Sequence, residues 1–580
     1  MENTKKITVV DVASEVDSGA TFYIEDNGVF RRTKTEKVKD VLGVTSLEKN
    51  VNTIQDRYIN KNVLYDVLHN TPHAKTCGDF FDLKRTGKIY RTRIPLFSTN
   101  PTTTCEKLLD NKDLVFEPST DTVEGRDDYL NGENPLFEWW DCNYKRNDDG
   151  SPYPTAIKGE EGFSYTGNVD VGTIQMSFYY EFKQHPDEGY VDLTISDTPQ
   201  LLRADMVLTP WSECVKPDGT VLPYCIGSKY ISSIGDDNLL RSVKDSKPEN
   251  FQSYSNMIVN YQKKGKGYYG AGAERNTFQT VFILIKCATK SSQAVFTGCT
   301  NYNLQYTASI ERSTNDTYFP VTNSQADNLI VGSNVCIGYA GIKSGTTNTA
   351  DLDRGQGNMR KYAKMAKIIK IESIDDNNKA VYLDVDAGFP TTKVTVTDGL
   401  VSPVYLSTMS WNSGTTDNVI GKHDGSMVSN ANSKYPYRIQ GREYAIGAYI
   451  IPSDTVLFFQ NDYSKDVYVA PKGVIHTTNE TTIKNTYKLI GNILANTNGG
   501  DYWIGDIAID AETGGWFPSS KGSGSSQGFG DMLYAGGATT SGTREYLQGG
   551  GLWSGSHAGF AFLLCGAGLD GANWYCCAAD

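Results

Sequence analysis

Glycine stands at positions 549, 550, 551, 555, 559, 566, 568 and 571 of this 580-residue chain. Glycine permits tight turns and close backbone contacts that other residues resist. The stretch 549-GGGLWSGSHAGFAFLL-564 is therefore expected to fold compactly, with the residues between its glycines projecting from the turns. Phe560 and Leu563 read as core. Leu552, Trp553, Ser554, Ser556 and His557 mix large and polar side chains without alternation, which predicts exposure. Such residues supply contact area at low entropic cost, as on antibody loops. Gly550, Gly555 and Gly559 then hold the turns.

The chain is long enough for three to five domains. No run of eighteen apolar residues occurs, so no membrane insertion is expected. The apolar run near the N-terminus is broken by Asp11, which argues against a secretory signal. Tyrosine (35) and glycine (56) are plentiful and histidine (6) is scarce, a composition suited to β-rich domains with elaborate loops. A net charge of −13 carries no concentrated basic face, so no nucleic-acid partner is expected. The eleven cysteines form no C-x-x-C pair, which argues against zinc and predicts reduced thiols. Cys565, Cys576 and Cys577 sit in apolar surroundings and read as structural thiols.

Residues 46–69 predict a helix: Leu47, Val51, Ile54, Tyr58, Tyr65 and Leu68 make a near-heptad seam, with Lys61 in its gap. That seam fits a short trimeric coiled coil or a helix packed on its own domain. Residues 171–182 and 191–195 alternate as strands, and the turn clusters 147-NDDGSP-152 and 185-HPDEG-189 separate the extended segments. Helices are predicted over 253–265 and over 276–293, the second capped by Asn276 with Phe278, Phe282, Ile285 and Thr289 on one face. Strands at 366–374, 380–386 and 393–398, the first two joined by 375-DDNN-378, read as a small inserted module.

No nucleophile elbow, phosphate-binding loop or zinc-protease motif is present. Asp506 and Asp510 read as solvated or turn-capping acids. Asn147, Asp148 and Asp149 lack the alternate spacing of a calcium loop. No catalytic residue, metal or cofactor is expected.

The arrangement 544-REYLQGGGLWSGSHAGFAFLL-564 resembles the C-terminal signature of phage C-type-lectin-like proteins, the variable proteins diversified by retroelements. The segment 437-YRIQGREYAIGAY-449 is similar to that family's Tyr-Arg-Gly-x-Glu-x-x-x-Gly run, and the helix at 276–293 resembles the helix preceding it. The block holding 139-WWDCNY-144 and 218-DGTVLPY-224 resembles tail-fibre-like proteins of gut phages. The chain departs from the family in ending on Cys576-Cys577-Ala-Ala-Asp580 where a Gly-x-Arg-like ending is usual.

The resulting expectation is a multi-domain α+β chain. It comprises an N-terminal attachment and oligomerisation segment (1–70), a β-rich domain (71–200), and a C-type-lectin-like domain in two parts (201–330 and 406–580) interrupted by a small β module (331–405). The resemblance implies a virion protein, assembled in a bacterial cytoplasm, that forms a homotrimer. Its N-terminus would join other virion proteins, and its C-terminal surface would bind a host cell-surface receptor, protein or glycan. The residues expected on that surface are Leu552, Trp553, Ser554, Ser556, His557, Phe562, Leu564, Leu569, Asp570, Asn573 and Tyr575. Arg438 and Glu443 are expected as internal polar scaffold. The alternatives are a virion structural or decoration protein without a receptor, and a formylglycine-generating-type oxidase sharing the fold.

Overall fold

The computed structural model describes residues 21–26, 29–34, 85–199, 208–250, 252–342, 352–353, 357–397, 399–421, 423–428, 432–537, 539–570 and 576–577. The chain divides into two compact units, Met1–Asn70 and Thr71–Asp580. Within the first, Thr21–Asp26 and Val29–Lys34 form an antiparallel hairpin. The helix expected over 46–69, with its seam, lies outside the described residues.

The second unit is β-rich, with few helices. A five-stranded sheet runs in the order Thr209–Pro210, Tyr179–His185, Tyr190–Ser196, Ile89–Pro95, Glu106–Leu109. A four-stranded sheet runs Tyr224–Ser228, Val171–Met176, Trp139–Arg146, Pro152–Ile157. The segment expected as one strand over 171–182 is therefore two, in different sheets. The break falls at Ser177 and Phe178. The Ser177 N–H donates to the carbonyl of Pro223, and the fully buried Phe178 ring stacks on Trp211 at 5.3 Å.

Helix α1 (Tyr254–Gln262) begins on Ser253, whose hydroxyl accepts the N–H of Asn256. Helix α2 (Glu274–Cys287) starts two residues before the expected Asn276 cap. Its cap comes from another segment: the Asp454 carboxylate accepts the N–H of Ala273 at 2.9 Å. A cap supplied by tertiary contact leaves no local signature, which is why the start is misread from sequence. Phe278, Phe282 and Ile285 are fully buried and nearly every other residue of α2 is buried, but the helix ends at Cys287, short of the expected 293, so Thr289 lies beyond it.

Helix α2 is buried on all sides although it carries polar residues, and it stands at the centre of the main core. Tyr90, Leu193 and Ile195 from the 85–199 block, Phe278 to Ile285 from α2, and Leu457, Ile504 and Leu533 from the C-terminal part share a single hydrophobic cluster. The expected boundary at residue 200 is thus not a boundary of the core. Polar contacts cross it too. Thr92 donates to the Leu284 carbonyl and Asn111 to that of Ile285. The fully buried Lys286 ammonium lies 3.1 Å from Asp127 and 3.6 Å from Asp424. On the C-terminal side of that boundary, Arg442 makes a two-pronged pair with Glu213 across 229 residues, both bonds at 2.7 Å. A buried charge left without its partner is costly, so such pairs fix which segments meet.

The inserted module begins earlier than 331. Its six-stranded sheet runs Gln305–Thr307, Val404–Met409, Asn334–Tyr339, Ala363–Ser373, Asn378–Leu383, Tyr318–Thr322. It has its own core around Phe319, Val335, Ile368 and Leu406. Its first and last strands pair antiparallel, Thr307 opposite Tyr405, so the module joins the rest through two adjacent chains.

The C-terminal part holds two sheets. One runs Lys488–Ile493, Lys465–Val469, Thr455–Phe459, Thr543–Glu545. The other runs Trp516–Lys521, Tyr502–Ile509, Met532–Tyr534, Leu563–Leu564, Leu547–Gln548, Tyr449–Ile450, Cys576–Cys577. Strand alternation splits these sheets between two cores. Leu457, Phe459, Tyr502, Leu533 and Leu563 join the main cluster, while Val456, Phe458, Leu547 and Phe562 join a second one with Tyr254 and Tyr449. Cys214 and Cys225 are joined as a disulfide, contrary to the expectation of reduced thiols throughout. Among the described residues, no helix is long and apolar enough to cross a membrane.

Candidate functional site at the C-terminal surface

The glycine-rich stretch does fold as turns. Gly549 and Gly550 both take φ near +90°, the region that favours glycine. This reversal sends Leu552 inward: it is 3% exposed, packed with Cys299, Tyr302, Trp411 and Tyr435, and its carbonyl accepts the Tyr302 N–H. Ser554 turns in as well, its hydroxyl accepting the N–H of Gly551 at 3.0 Å. Leu552 and Ser554 are therefore corrected from surface to interior. So are Phe562, fully buried and stacked on Tyr449 at 5.4 Å, and Leu569, packed in the same cluster. In a turn-rich segment each side chain's direction is set by the individual turn, and no period exists to read it from.

What stays outside is a smaller set. Trp553 is 37% exposed and meets Tyr449 edge-on at 5.7 Å. The benzene ring of its indole lies over Gly551, where a Cβ would stand 3.0 Å from the ring. Ser556 and Asp570 are exposed, while His557 and Leu564 are half-buried. Asp570 accepts the Ser255 hydroxyl at the start of α1. Asn573 and Tyr575 lie outside the described residues. Phe560 and Leu563 are fully buried.

Two residues absent from the sequence reading complete the surface. Tyr534 places its hydroxyl 2.5 Å from Nδ1 of His557, and the Trp503 ring meets the His557 ring edge-on at 5.1 Å. Both are half-buried and stand on neighbouring strands, on the face that carries Met532 and Leu564. The available signal was alternation: in 502-YWIGD-506, Tyr502 and Ile504 point into the main core, so Trp503 must point away.

Beneath this surface the frame is polar but enclosed. The Asp531 carboxyl, 2% exposed, accepts the N–H of Ala561 at 2.9 Å, and burial raises it well above the usual carboxylate range. A Cβ on Gly559 would stand 2.2 Å from that carboxyl, so the glycine lets the loop close over it. Gly550 is similarly tight, with a Cβ falling 2.6 Å from that of Ala558. Gly555 has open space around it and only a positive φ of 54°. Arg438 and Glu443 are buried in the Tyr437–Ile439/Arg442–Tyr444 hairpin. Arg438 donates to the carbonyls of His423 and Thr416, and Glu443 accepts the N–H groups of Gly414 and Thr416. Burial pushes Glu443 up to about 7 and the Cys565 thiol up to about 12.

The arrangement offers aromatic edges and faces, one histidine–tyrosine hydrogen bond and small polar groups on a buried frame. No protein-family model and no curated protein matches the chain.

Proposed function

We propose that this chain is a phage receptor-binding protein of the tail-fibre type, presenting the surface around Trp553, His557, Trp503 and Tyr534 to a host cell-surface molecule. The observation that carries the reading is Trp553. Its neighbours Leu552, Ser554, Phe560 and Phe562 are withdrawn into the protein, yet the indole remains 37% exposed, laid over Gly551 and braced by Tyr449. Large aromatic side chains held rigid at a surface are the commonest carriers of binding energy. A C-type-lectin-like architecture for residues 201–304 and 410–580 fits this reading: two helices, the 437–444 hairpin, and a terminal strand, Cys576–Cys577, lying parallel to Tyr449–Ile450. In this reading the protein is a homotrimer held through its N-terminal half, so that weak single sites act together.

The test is adsorption of the labelled full chain to intact cells of a panel of gut bacteria. The expected result is saturable binding to a subset of strains, lost with Trp553→Ala and with Trp503→Ala while both variants melt as the parent does. Light scattering of the full chain should give three copies. Binding to no strain, or binding indifferent to both substitutions, overturns the assignment of this surface.

A further inference from the structure

Away from the C-terminal surface, a cleft of about 90 Å3 opens between residues 146–152, 267–275 and 470–476. Its floor carries two buried acids, Glu274 at the start of α2 and Asp454 at the head of strand Thr455–Phe459. One oxygen of each is engaged. Asp454 Oδ1 accepts the Ala273 N–H at 2.9 Å and the Thr455 hydroxyl at 2.6 Å, and Glu274 Oε1 faces the Lys472 ammonium at 2.7 Å. The other two oxygens, Asp454 Oδ2 and Glu274 Oε2, converge over Gly272, where a Cβ would stand 2.0 and 2.2 Å from them. Capping the helix uses Asp454 Oδ1 alone, and the two remaining oxygens face each other as a carboxyl–carboxylate pair.

Two further groups line the same cleft. The Nδ1 atom of His476 is buried without a hydrogen-bond partner, and the ring lies 4.5 Å from that of Tyr269. Arg275 is only 5% exposed. Its guanidinium meets the Ser228 hydroxyl at 3.4 Å, the Glu443 carbonyl at 2.9 Å and the Tyr444 ring at 4.5 Å. Among the described residues no carboxylate lies within ion-pair distance of it. Glu213 and Glu443 act on it only at longer range, so a carboxylate arriving in the cleft would be its direct partner, and a buried acceptor without a donor is costly.

We propose that this cleft binds a small α-amino acid as its zwitterion, the ammonium held by Glu274 Oε2, Asp454 Oδ2 and His476 Nδ1 beside the Tyr269 ring, and the carboxylate by Arg275. A primary ammonium carries three N–H donors, and three acceptors line the floor. The aromatic ring adds a cation–π contact. Glycine, alanine and serine are the smallest ligands that carry both groups. Burial pushes His476 down to about 3, so its ring is neutral and free to accept. Burial and the adjacent Glu274 push Asp454 up to about 7. Burial also raises Glu274, but the Lys472 ammonium more than offsets this and holds it below its usual value. The empty pair therefore shares one proton. An arriving ammonium lets both acids ionise, and that proton passes to solvent.

The experiment is calorimetry on the full chain with glycine, L-alanine and L-serine, at about pH 6.5, where Asp454 is still protonated. Acetate and methylammonium serve as the two half-ligands, and several buffers of different ionisation enthalpy report the proton. The expected result is binding of the amino acids with proton release, and at least tenfold weaker binding of either half-ligand. Asp454→Asn should abolish the proton release and weaken binding. Lys472→Ala, at a part-exposed side chain, should keep the fold and tighten binding, because Lys472 competes for Glu274. If Asp454→Asn fails to fold, Lys472→Ala decides, and unchanged affinity overturns the proposal. So does the absence of heat with all three amino acids at millimolar concentration, or acetate binding as well as glycine. Trp553→Ala should leave this binding untouched, which separates it from receptor recognition.

Discussion

The hydroxyl of Tyr534 lies 2.5 Å from Nδ1 of His557, joining a strand of the seven-stranded sheet to the turn that follows Trp553. Trp503 closes the other side of the His557 ring. The exposed turn is thus positioned by a neighbouring strand, with its own glycines supplying only the path. Tyr534→Phe should weaken target binding by about 1 kcal/mol, the net worth of one hydrogen bond, with little change in melting temperature. His557→Ala should add almost nothing to Tyr534→Phe in a double-mutant cycle. Full additivity would show that the pair does not act as a unit.

Leu552 and Trp553 are adjacent and should behave oppositely. Trp553→Ala removes a surface contact and should cost about 2 kcal/mol of binding or more, with stability nearly unchanged. Leu552→Ala opens a cavity against Trp411 and Tyr302 and should cost about 2–5 kcal/mol of stability. Denaturant melts read the second effect and adsorption to cells the first.

The three scaffold glycines should rank by what a side chain would meet. Gly559→Val would drive into the Asp531 carboxyl, and Gly550→Val into Ala558 at a positive φ, so both should fail to fold or melt far lower. Gly555→Ala meets nothing and should cost only the left-handed backbone penalty of about 1–2 kcal/mol, with Gly555→Asn cheaper still. Thermal melts of the four variants give the order directly. Gly555→Ala falling with the other two would show that its surroundings are tighter than this structure places them.

Stability should fall as pH rises from about 4.5 to about 8. Glu443 and Asp454 are pushed up to about 7 and Glu545 to about 8, chiefly by burial. An acid whose folded value is raised binds its proton more tightly when folded. Its contribution is complete below the unfolded value and lost as pH climbs through the folded one. Glu545 receives the Tyr254 N–H at 2.7 Å and leaves Oε2 without a partner, so Glu545→Gln should flatten the dependence while retaining that contact. Urea melts at the two ends of the window test this, and a parent equally stable at both would refute it.

The module from Gln305 to Met409 should be removable. Replacing residues 308–403 by a short turn would join Thr307 to Val404 where the chains already pair. The ion pairs Lys247 with Asp384 and Lys364 with Glu249 are partly exposed and contribute little, but the buried Tyr302 hydroxyl would lose Ser333 and Ile330, so the shortened protein also carries Tyr302→Phe. The shortened protein should melt cooperatively and keep its cell binding, as calorimetry and adsorption would show.

Much of the local structure was legible. Helix α2 shows its burial in 278-FQTVFILI-285, where six of eight residues are apolar, and the strands at 190–196, 363–373 and 378–383 are marked by their alternating sequence pattern. The 171–182 segment reads as one strand because 176-MSFYY-180 holds no glycine, proline or turn cluster to mark a break. Only the stacking of Phe178 on Trp211 reveals the change of sheet. The start of the module was missed because 305-QYT-307 is too short to carry a period, and it is a strand only because Val404–Met409 lies beside it.

The sequence by itself determined that the C-terminal stretch is built of turns, since glycine at these positions permits a backbone that other residues resist. It also determined that Arg438 and Glu443 sit in a compact segment, and that the chain is β-rich with a β insertion. Only the tertiary structure decided which side chains of the turns face water. Leu552, Ser554, Phe562 and Leu569 go inward and Trp553 stays out because two separate cores lie on either side of the loop. The partners of the exposed residues, Trp503 and Tyr534, come from strands some twenty to fifty residues earlier, and the cap of α2 comes from Asp454, far later in the chain. A burial decision made by a distant segment leaves no trace in local periodicity, because the energy that fixes it is the removal of apolar surface from water by a neighbour in space.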